Sequence, residues 1–260
     1  MHQRTDIGYL YDGSYEGFLS CVFESFEKRE IPPEICAENA PQITIFPMRF
    51  IATNMEHARR VQISIPKRMS LEAEDFVRSA FYSCMPGREG SLLAFLRMGY
   101  KMGPRVLSCL TDPTVNALFN AARHAKSEAH LLCGFIRLSD YDGILAGVIE
   151  PKNYALPLIA PHFADRFQSD PVFIYDRTHA QALFVQDGSW RIFPLEEFEL
   201  AHPDETEIAM RNLWRTFYDT IAIEGRRNER CRRTHMPLRY RGVMTEFQPK
   251  ESAVSLLTEN

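Results

Sequence analysis

Apolar side chains recur every three or four residues along much of the chain, which is the spacing of amphipathic helices. The spacing predicts six helices, at residues 14–29, 70–84, around 92–96, 113–127, 153–167 and 204–224. Ser14 and Ser70 are suitable N-caps, and Asp112-Pro113 combines a cap with proline at the first helical position. In the longest helix we expect an apolar stripe to face the core, formed by Leu213, Trp214, Phe217 and Ile221.

Shorter apolar runs, some alternating with polar residues, predict strands. They are Ile7–Tyr11, Val61–Ile65, His130–Leu138, Ile144–Ile149, Val172–Asp176, Gln181–Gln186 and Trp190–Phe193. The turn-rich segment 139–143 predicts a hairpin between the third and fourth of these runs. The pattern predicts an α+β fold, with a central antiparallel or mixed sheet of four to six short strands, helices on one side and a basic C-terminal helical segment.

The same pattern suggests how the chain is divided. We assign residues 1–200 to an α+β core, 201–247 to a basic helical segment packed on that core, and 248–260 to a flexible tail. A hydrophobic content of 45% over 260 residues is ample for a buried core. No window approaches the ~20 apolar residues that span a bilayer, and the N-terminus lacks the apolar run of a signal peptide. We therefore expect a cytoplasmic protein with no membrane contact.

Six cysteines are scattered without a C-x-x-C pair, which favours reduced, buried thiols over a disulfide framework or a metal knuckle. We predict no metal and no cofactor.

Charge is distributed unevenly. Residues 211–241 contain nine arginines, no lysine and three acidic residues, a net charge of +6, so the formal charge of −4 leaves −10 on the remainder. A basic block in an otherwise acidic chain is typical of a surface that meets a polyanion. Guanidinium groups bind phosphate through two oxygens and keep their charge. We therefore predict a nucleic-acid-binding set formed by Arg226, Arg227, Arg230, Arg232, Arg233, Arg239, Tyr240 and Arg241.

Aromatic residues are interspersed in the block, and their rings could stack on bases. They are Trp214, Tyr218, His235 and Tyr240. The alternative interpretation is that Trp214 and Phe217 belong to the core, and that the arginines form ion pairs within the protein or with a protein partner. On that interpretation, Arg211 and Arg215, one helical turn apart, pair with acids of the remainder.

Candidate catalytic residues form weaker patterns, since no P-loop, Rossmann glycine motif, H-E-x-x-H or G-x-S-x-G occurs. His162 and Arg166 share a helical face, and Asp176 ends a strand, so His162 with Asp176 could act as a base and its orienting group, unless Asp176 only caps the next turn. His124 and Glu128, followed by His130, could begin a metal site or simply end a solvated helix.

The turn Tyr11-Asp12-Gly13-Ser14 opens a helix. Its amides could hold a phosphate, or it could be an ordinary turn and helix cap.

Several sequence segments together resemble a known family. They are YDGSYEGFL, GFIRL, HFADRF followed by a strand ending in YDR, and the C-terminal WRTFYDTIAIEGRRNERCRRTHMPLRYRGVMTEF. From Tyr9 to Phe247 the chain resembles a bacterial family of DNA-metabolism-associated proteins of unknown biochemical function. Members are typically encoded beside a radical S-adenosylmethionine protein, and the domain also occurs fused to a uracil-DNA-glycosylase-like domain. The family supplies no established catalytic residues.

The resemblance implies a role in DNA repair or modification, as an accessory to a radical S-adenosylmethionine protein or a glycosylase. No C-x-x-x-C-x-x-C loop of a radical enzyme is present, so such chemistry would come from a partner. Our leading hypothesis is a DNA-binding accessory protein without catalytic activity of its own. The alternatives are a glycosylase-like or nuclease-like hydrolase that uses His162 and Asp176, and a protein-interaction module that does not contact nucleic acid.

Overall fold

The computed structural model describes residues 3–39, 44–221 and 228–247. By its internal contacts the chain separates into an N-terminal unit, Met1–Ser127, and a C-terminal unit, Glu128–Asn260. The division falls within a long helix, whereas the sequence analysis placed residues 1–200 in one core. Among the described residues, no helix has both the length and the apolar character needed to cross a membrane.

The N-terminal unit contains two small parallel sheets and several helices. Its strands are β1 (Gln3–Arg4), β2 (Gly8–Tyr11), β3 (Glu30–Ile31), β4 (Ile35–Ala37) and β5 (Met48–Phe50). Strand β2 lies between β4 and β5, and β1 pairs with β3. The helices are α1 (Tyr15–Glu27), α2 (Met55–Arg68), α3 (Leu71–Phe81), α4 (Arg88–Met102) and the first part of α5 (Pro113–Phe135), with a 3-10 helix at Gly103–Ser108.

The predicted caps of this unit are confirmed. The Ser14 hydroxyl accepts a hydrogen bond from the Gly17 amide, and that of Ser70 accepts one from Ala73. The Asp112 carboxylate accepts bonds from the first amides of α5, as expected for a cap followed by proline.

The predicted strand Val61–Ile65 is wrong, because these residues form the middle of α2. Val61 and Ile65 are one helical turn apart and both are buried, while Ile63 between them is exposed. An alternating pattern over only five residues also fits one face of a helix, and the Asn54 cap, which accepts bonds from two amides, favours the helix.

The C-terminal unit contains the predicted mixed sheet, which confirms the α+β fold class. Its strands are β6 (Ser139–Tyr141), β7 (Ile144–Ile149), β8 (Val172–Asp176), β9 (Gln181–Gln186) and β10 (Ser189–Pro194), in the order β10-β9-β8-β7-β6. Within this sheet β7 and β8 pair in parallel and are connected by helix α6 (Leu156–Arg166), whereas the other strand pairs that the structure describes there are antiparallel. The later helices are α7 (Glu205–Thr220), α8 (Glu229–His235), α9 (Leu238–Arg241) and a 3-10 turn, Thr245–Phe247.

Helices cover one face of this sheet, as predicted. Ile149, Ile174 and Leu183 point toward a core that also contains α6, the end of α5 and the side chains of Tyr240 and Met244. Alternate side chains of β8 point to the other face of the sheet. There the rings of Phe173 and Tyr175 contact Phe198, which belongs to the segment after β10.

The predicted strand His130–Leu138 is also wrong, because α5 continues to Phe135. The hairpin partner of β7 is the shorter β6, and the turn between them uses positive φ angles at Asp142 and Gly143. The end of α5 is buried in the C-terminal core, for example at Leu132, and is therefore rich in apolar residues. A short apolar run of this kind cannot be distinguished from a buried strand by its pattern alone.

Candidate nucleic-acid interface

Beyond α7, the described part of the basic block forms two short helices, α8 and α9, separated by Met236 and Pro237. The Asn228 side chain caps α8 by accepting a hydrogen bond from the Cys231 amide. Proline cannot donate the next helical hydrogen bond, so α8 ends before it and α9 starts after it. Arg226 and Arg227 lie outside the described residues.

Apolar contacts anchor the second of these helices, α9, to the core of the C-terminal unit. Tyr240 is only 3% exposed, and with Met244 it belongs to the core of the C-terminal unit, where its ring lies 5.3 Å from that of Phe135. Burial raises the pKa of the Tyr240 hydroxyl further above neutrality. The ring that we predicted to contact nucleic acid is thus unavailable for stacking on a base.

A buried carboxylate holds the second helix. Glu128 accepts hydrogen bonds from the backbone amides of Lys152 and Asn153 and from the Asn153 side chain. It also pairs with Arg239 at 3.0 Å, with side-chain exposures of 2% for Glu128 and 41% for Arg239. Arg239 additionally donates to the Tyr240 hydroxyl. The structure therefore places Arg239 in an anchoring contact and leaves part of its side chain at the surface.

Two further arginines of the predicted set lie against Phe247. Arg232 and Arg241 place their guanidinium carbons 5.5 Å and 5.1 Å from the centre of that ring. Arg232 also pairs with Glu229 at 3.3 Å, and Arg241 donates to the Met236 carbonyl. These contacts fit the alternative interpretation, in which arginines of the block stabilise the protein itself.

Arg230 and Arg233 are different. Both are exposed, and they are three residues apart on α8, so they lie on neighbouring positions of its surface. Among the described residues, no carboxylate forms an ion pair with either of them. They are therefore the two members of the predicted set that remain available to an external anion in the part of the chain that is described.

Arg211 behaves as the alternative interpretation expected, with an acidic partner outside the block, whereas Arg215 donates to the neutral oxygens of Asn212 and Thr245. Arg211 pairs with Glu207 at 2.8 Å and donates to the Ser139 hydroxyl. Arg215 is buried and donates to the Thr245 carbonyl. The predicted burial of the apolar stripe of α7 is wrong. The side of α7 that packs on the protein carries Arg211 and Arg215, and the stripe is exposed, namely Leu213, Trp214, Phe217 and Ile221.

The proposed base and orienting group are not brought together. His162 and Arg166 are both exposed on α6, and the His162 ring contacts that of Phe163. Asp176, in contrast, is fully buried at the end of β8. Asp176 accepts hydrogen bonds from the Thr178 and His179 amides, as the alternative interpretation expected. Its other oxygen lies 2.7 Å from Nδ1 of His179.

Sequence reasoning missed the pairing of Asp176 with His179, although the three-residue spacing after a strand end was a usable signal. When a carboxylate is ionised it can only accept, so in such a pairing His179 donates its Nδ1 proton and Nε2 is the nitrogen that can accept one. The His179 side chain is 27% exposed, and its ring lies 5.4 Å from that of Tyr154. This arrangement is a histidine oriented by a buried carboxylate.

The remaining candidates have structural roles or no described partner. His124 is exposed on α5, as is His130, whereas Glu128 is buried and holds Arg239. No cluster of three potential metal ligands occurs among the described residues.

The predicted phosphate turn is an ordinary cap. Asp12 accepts bonds from the Ser14 amide and hydroxyl and from Thr53, so a carboxylate already occupies the helix start. Burial opposes ionisation, but these hydrogen bonds lower the pKa of Asp12, which keeps a negative charge where a phosphate would have to bind.

A cavity of about 380 Å³ opens beside β6 and β7 in the C-terminal unit. Arg137, Arg177 and Arg211 line it, together with Val243 and its neighbours Gly242 and Thr245. Each arginine already has a carboxylate partner, namely Glu246, Glu150 and Glu207. The cavity therefore offers an anion much less uncompensated charge than the surface of α8 does.

Together, the fold and the site define an α+β protein with an anchored basic helical segment, in whose described part Arg230 and Arg233 are exposed. The chain belongs to the DUF4130 family, a domain of unknown function, whose model matches residues 86–246. The matched region includes the whole mixed sheet and both basic helices. No match to a curated protein was found.

Proposed function

We propose that the protein binds the phosphate backbone of DNA through the exposed side of α8, as an accessory in DNA repair or modification. The observation that carries the proposal is the pair Arg230 and Arg233, which are exposed and lack a carboxylate partner among the described residues. Arginine keeps its charge at any physiological pH, so an open pair attracts a polyanion.

The anchoring of α9 supports the same proposal. Binding is stronger when the binding groups are held in place beforehand, because less side-chain and backbone freedom is lost. Tyr240, Met244 and the Arg239–Glu128 pair fix the segment that carries α8. The resemblance to proteins encoded beside a radical S-adenosylmethionine protein, or fused to a glycosylase-like domain, supports such an enzyme as the partner.

The salt dependence of DNA binding tests the proposal. Fluorescence anisotropy with labelled DNA between low and moderate salt gives the slope of log affinity against log salt. Because each phosphate contact contributes about 0.7 for single strands and about 0.9 for duplex, Arg230→Ala/Arg233→Ala is expected to reduce the slope by about 1.4 to 1.8. Affinity at low salt should fall as well.

A matched control removes two exposed arginines that already have acidic partners. Arg78 pairs with Asp75, and Arg177 pairs with Glu150. Arg78→Ala/Arg177→Ala should therefore leave the slope unchanged. Equal losses in both double variants, or binding that does not depend on salt, would contradict a phosphate site on α8.

A second candidate function rests on His179 and Asp176. A histidine oriented by a buried carboxylate can act as a general base, and such a group typically contributes about 10²- to 10⁴-fold to a rate. On this hypothesis the protein is a DNA-processing hydrolase, with His179 in the role that the sequence analysis gave to His162.

Activity assays distinguish this candidate from an accessory protein. The purified protein is incubated with uracil-containing, alkylated or irradiated DNA, with and without divalent metal. If His179 is the base, His179→Ala should lower product formation about 100-fold or more, while the exposed His162→Ala should have no effect. Absence of product under every condition would remove the hydrolase hypothesis and leave the DNA-binding proposal intact.

A further inference from the structure

Helix α7 directs its polar side toward the protein and its apolar side outward. Arg215 is buried and Arg211 is bonded to Glu207 and Ser139. The outward side carries large apolar side chains that are between 39% and 64% exposed, namely Met210, Leu213, Trp214, Phe217 and Ile221. A contiguous apolar surface of this kind usually marks an interaction site.

Between Glu205 and Asp219 the helix itself places no charge on its outward side, because Glu207, Arg211 and Arg215 point inward. The exposed positions among the apolar residues are small or neutral, namely Thr206, Ala209, Asn212 and Thr216. Arg137 lies 5.6 Å from the centre of the Trp214 ring, but it is paired with Glu246. A surface whose neighbouring cation already has a carboxylate partner does not suit nucleic acid, whose binding depends on neutralised phosphates. An apolar protein surface is the occupant with matching chemistry.

The spacing of the central residues fits a helix as that occupant. Thr206, Met210, Leu213, Phe217 and Thr220 follow each other at intervals of four, three, four and three residues. This is the heptad spacing of a helix that packs against another at about 20°.

The seam is nearly symmetric about Leu213. Threonines 206 and 220 are equally distant from it, and Met210 and Phe217 flank it on either side. A two-fold axis places the same patch of each subunit against itself, so a seam that reads alike in both directions suits an antiparallel pair of identical helices. We propose that α7 packs antiparallel against α7 of a second copy of this chain, with the two-fold axis at Leu213.

The exposed area is consistent with a dimer. The large apolar side chains of α7 expose roughly 500 Å² per copy. Complete burial of these side chains in both copies would remove roughly 1,000 Å² from water, which is about the lower limit for a specific interface. Residues flanking the seam add to this area.

Sedimentation equilibrium of the full chain over a range of concentrations tests the dimer. Leu213→Glu places two carboxylates against each other at the axis and should raise the dissociation constant of the dimer about 100-fold or more. Leu238 on α9 is similarly exposed, and Leu238→Glu is the matched control that should leave the constant unchanged. A chain that is monomeric throughout, or a dimer that persists in Leu213→Glu, would overturn the proposal.

Disulfide crosslinking tests the position of the axis. In a background with the exposed Cys84 and Cys231 changed to serine, Leu213→Cys is oxidised with copper phenanthroline. Two thiols at the axis should form a covalent dimer, whereas Leu238→Cys should remain a monomer. A dimer that crosslinks equally through both positions, or through neither, would contradict pairing at Leu213.

Discussion

Replacing Glu128 by alanine is expected to lower the free energy of unfolding of the C-terminal unit by about 3 kcal/mol. Removing one partner of a buried ion pair typically costs about 3–5 kcal/mol, because the other charge is left without compensation. Arg239 remains partly exposed and can be hydrated, which places the expected value at the low end. Glu128 also accepts hydrogen bonds from the backbone amides of Lys152 and Asn153 and from the Asn153 side chain. These three donors lose their acceptor in the alanine variant.

Urea unfolding followed by tryptophan fluorescence measures this effect in the relevant unit. The chain has two tryptophans, Trp190 and Trp214, and both belong to the C-terminal unit. The control is Glu150→Ala, which removes an exposed carboxylate that pairs with Arg177 on the surface. Such pairs contribute about 0–1 kcal/mol, so a control variant that is as unstable as Glu128→Ala would contradict the anchoring role of Glu128.

Local signals in the sequence were sufficient for much of the fold. The runs Val172–Asp176 and Gln181–Gln186 are strands with the predicted ends, since each is bounded by residues that favour turns. The caps at Ser14 and Ser70 were identifiable because a cap depends on a side chain and amides only three residues apart.

Apolar pattern alone failed where burial depends on the rest of the protein. Val61–Ile65 alternates like a strand, but the cap at Asn54 and the burial of Ala58 place it in a helix. The stripe of α7 has the spacing of a buried face, yet Arg215 occupies the protein side. Periodicity identifies the apolar face of a helix without showing what covers that face.

The candidate site was predictable as a region but not residue by residue. An excess of arginine in residues 211–241 is visible in the sequence, whereas the partner of Arg239 is Glu128, more than one hundred residues away. The long-range pair between Arg137 and Glu246 is equally invisible to local reasoning. Only the fold separates the anchoring arginines from Arg230 and Arg233.

Two substitutions of Tyr240 are expected to separate anchoring from recognition. Tyr240→Ala should lower the free energy of unfolding of the C-terminal unit by about 3–5 kcal/mol, since it removes a buried aromatic ring and leaves a cavity. Tyr240→Phe keeps the ring and loses only the hydroxyl that accepts from Arg239, at a cost of about 1 kcal/mol. Tryptophan fluorescence during urea unfolding measures both changes. The control is Phe193→Ala, at an exposed position on β10, which should lower the free energy of unfolding by about 1 kcal/mol or less.

DNA binding provides the second readout for the same variants. If Tyr240 acts only in the core, Tyr240→Phe should bind DNA with the affinity and salt slope of the natural chain. Tyr240→Ala should lose affinity in proportion to its unfolded fraction, because α8 is held in place through α9. A base-stacking ring would give a different order, since replacing a stacking aromatic by alanine costs about 1–3 kcal/mol of binding even in the folded protein. The comparison is made without urea and at low temperature, where Tyr240→Ala is folded. If the folded variant binds DNA much more weakly than Tyr240→Phe does, a purely anchoring role is contradicted.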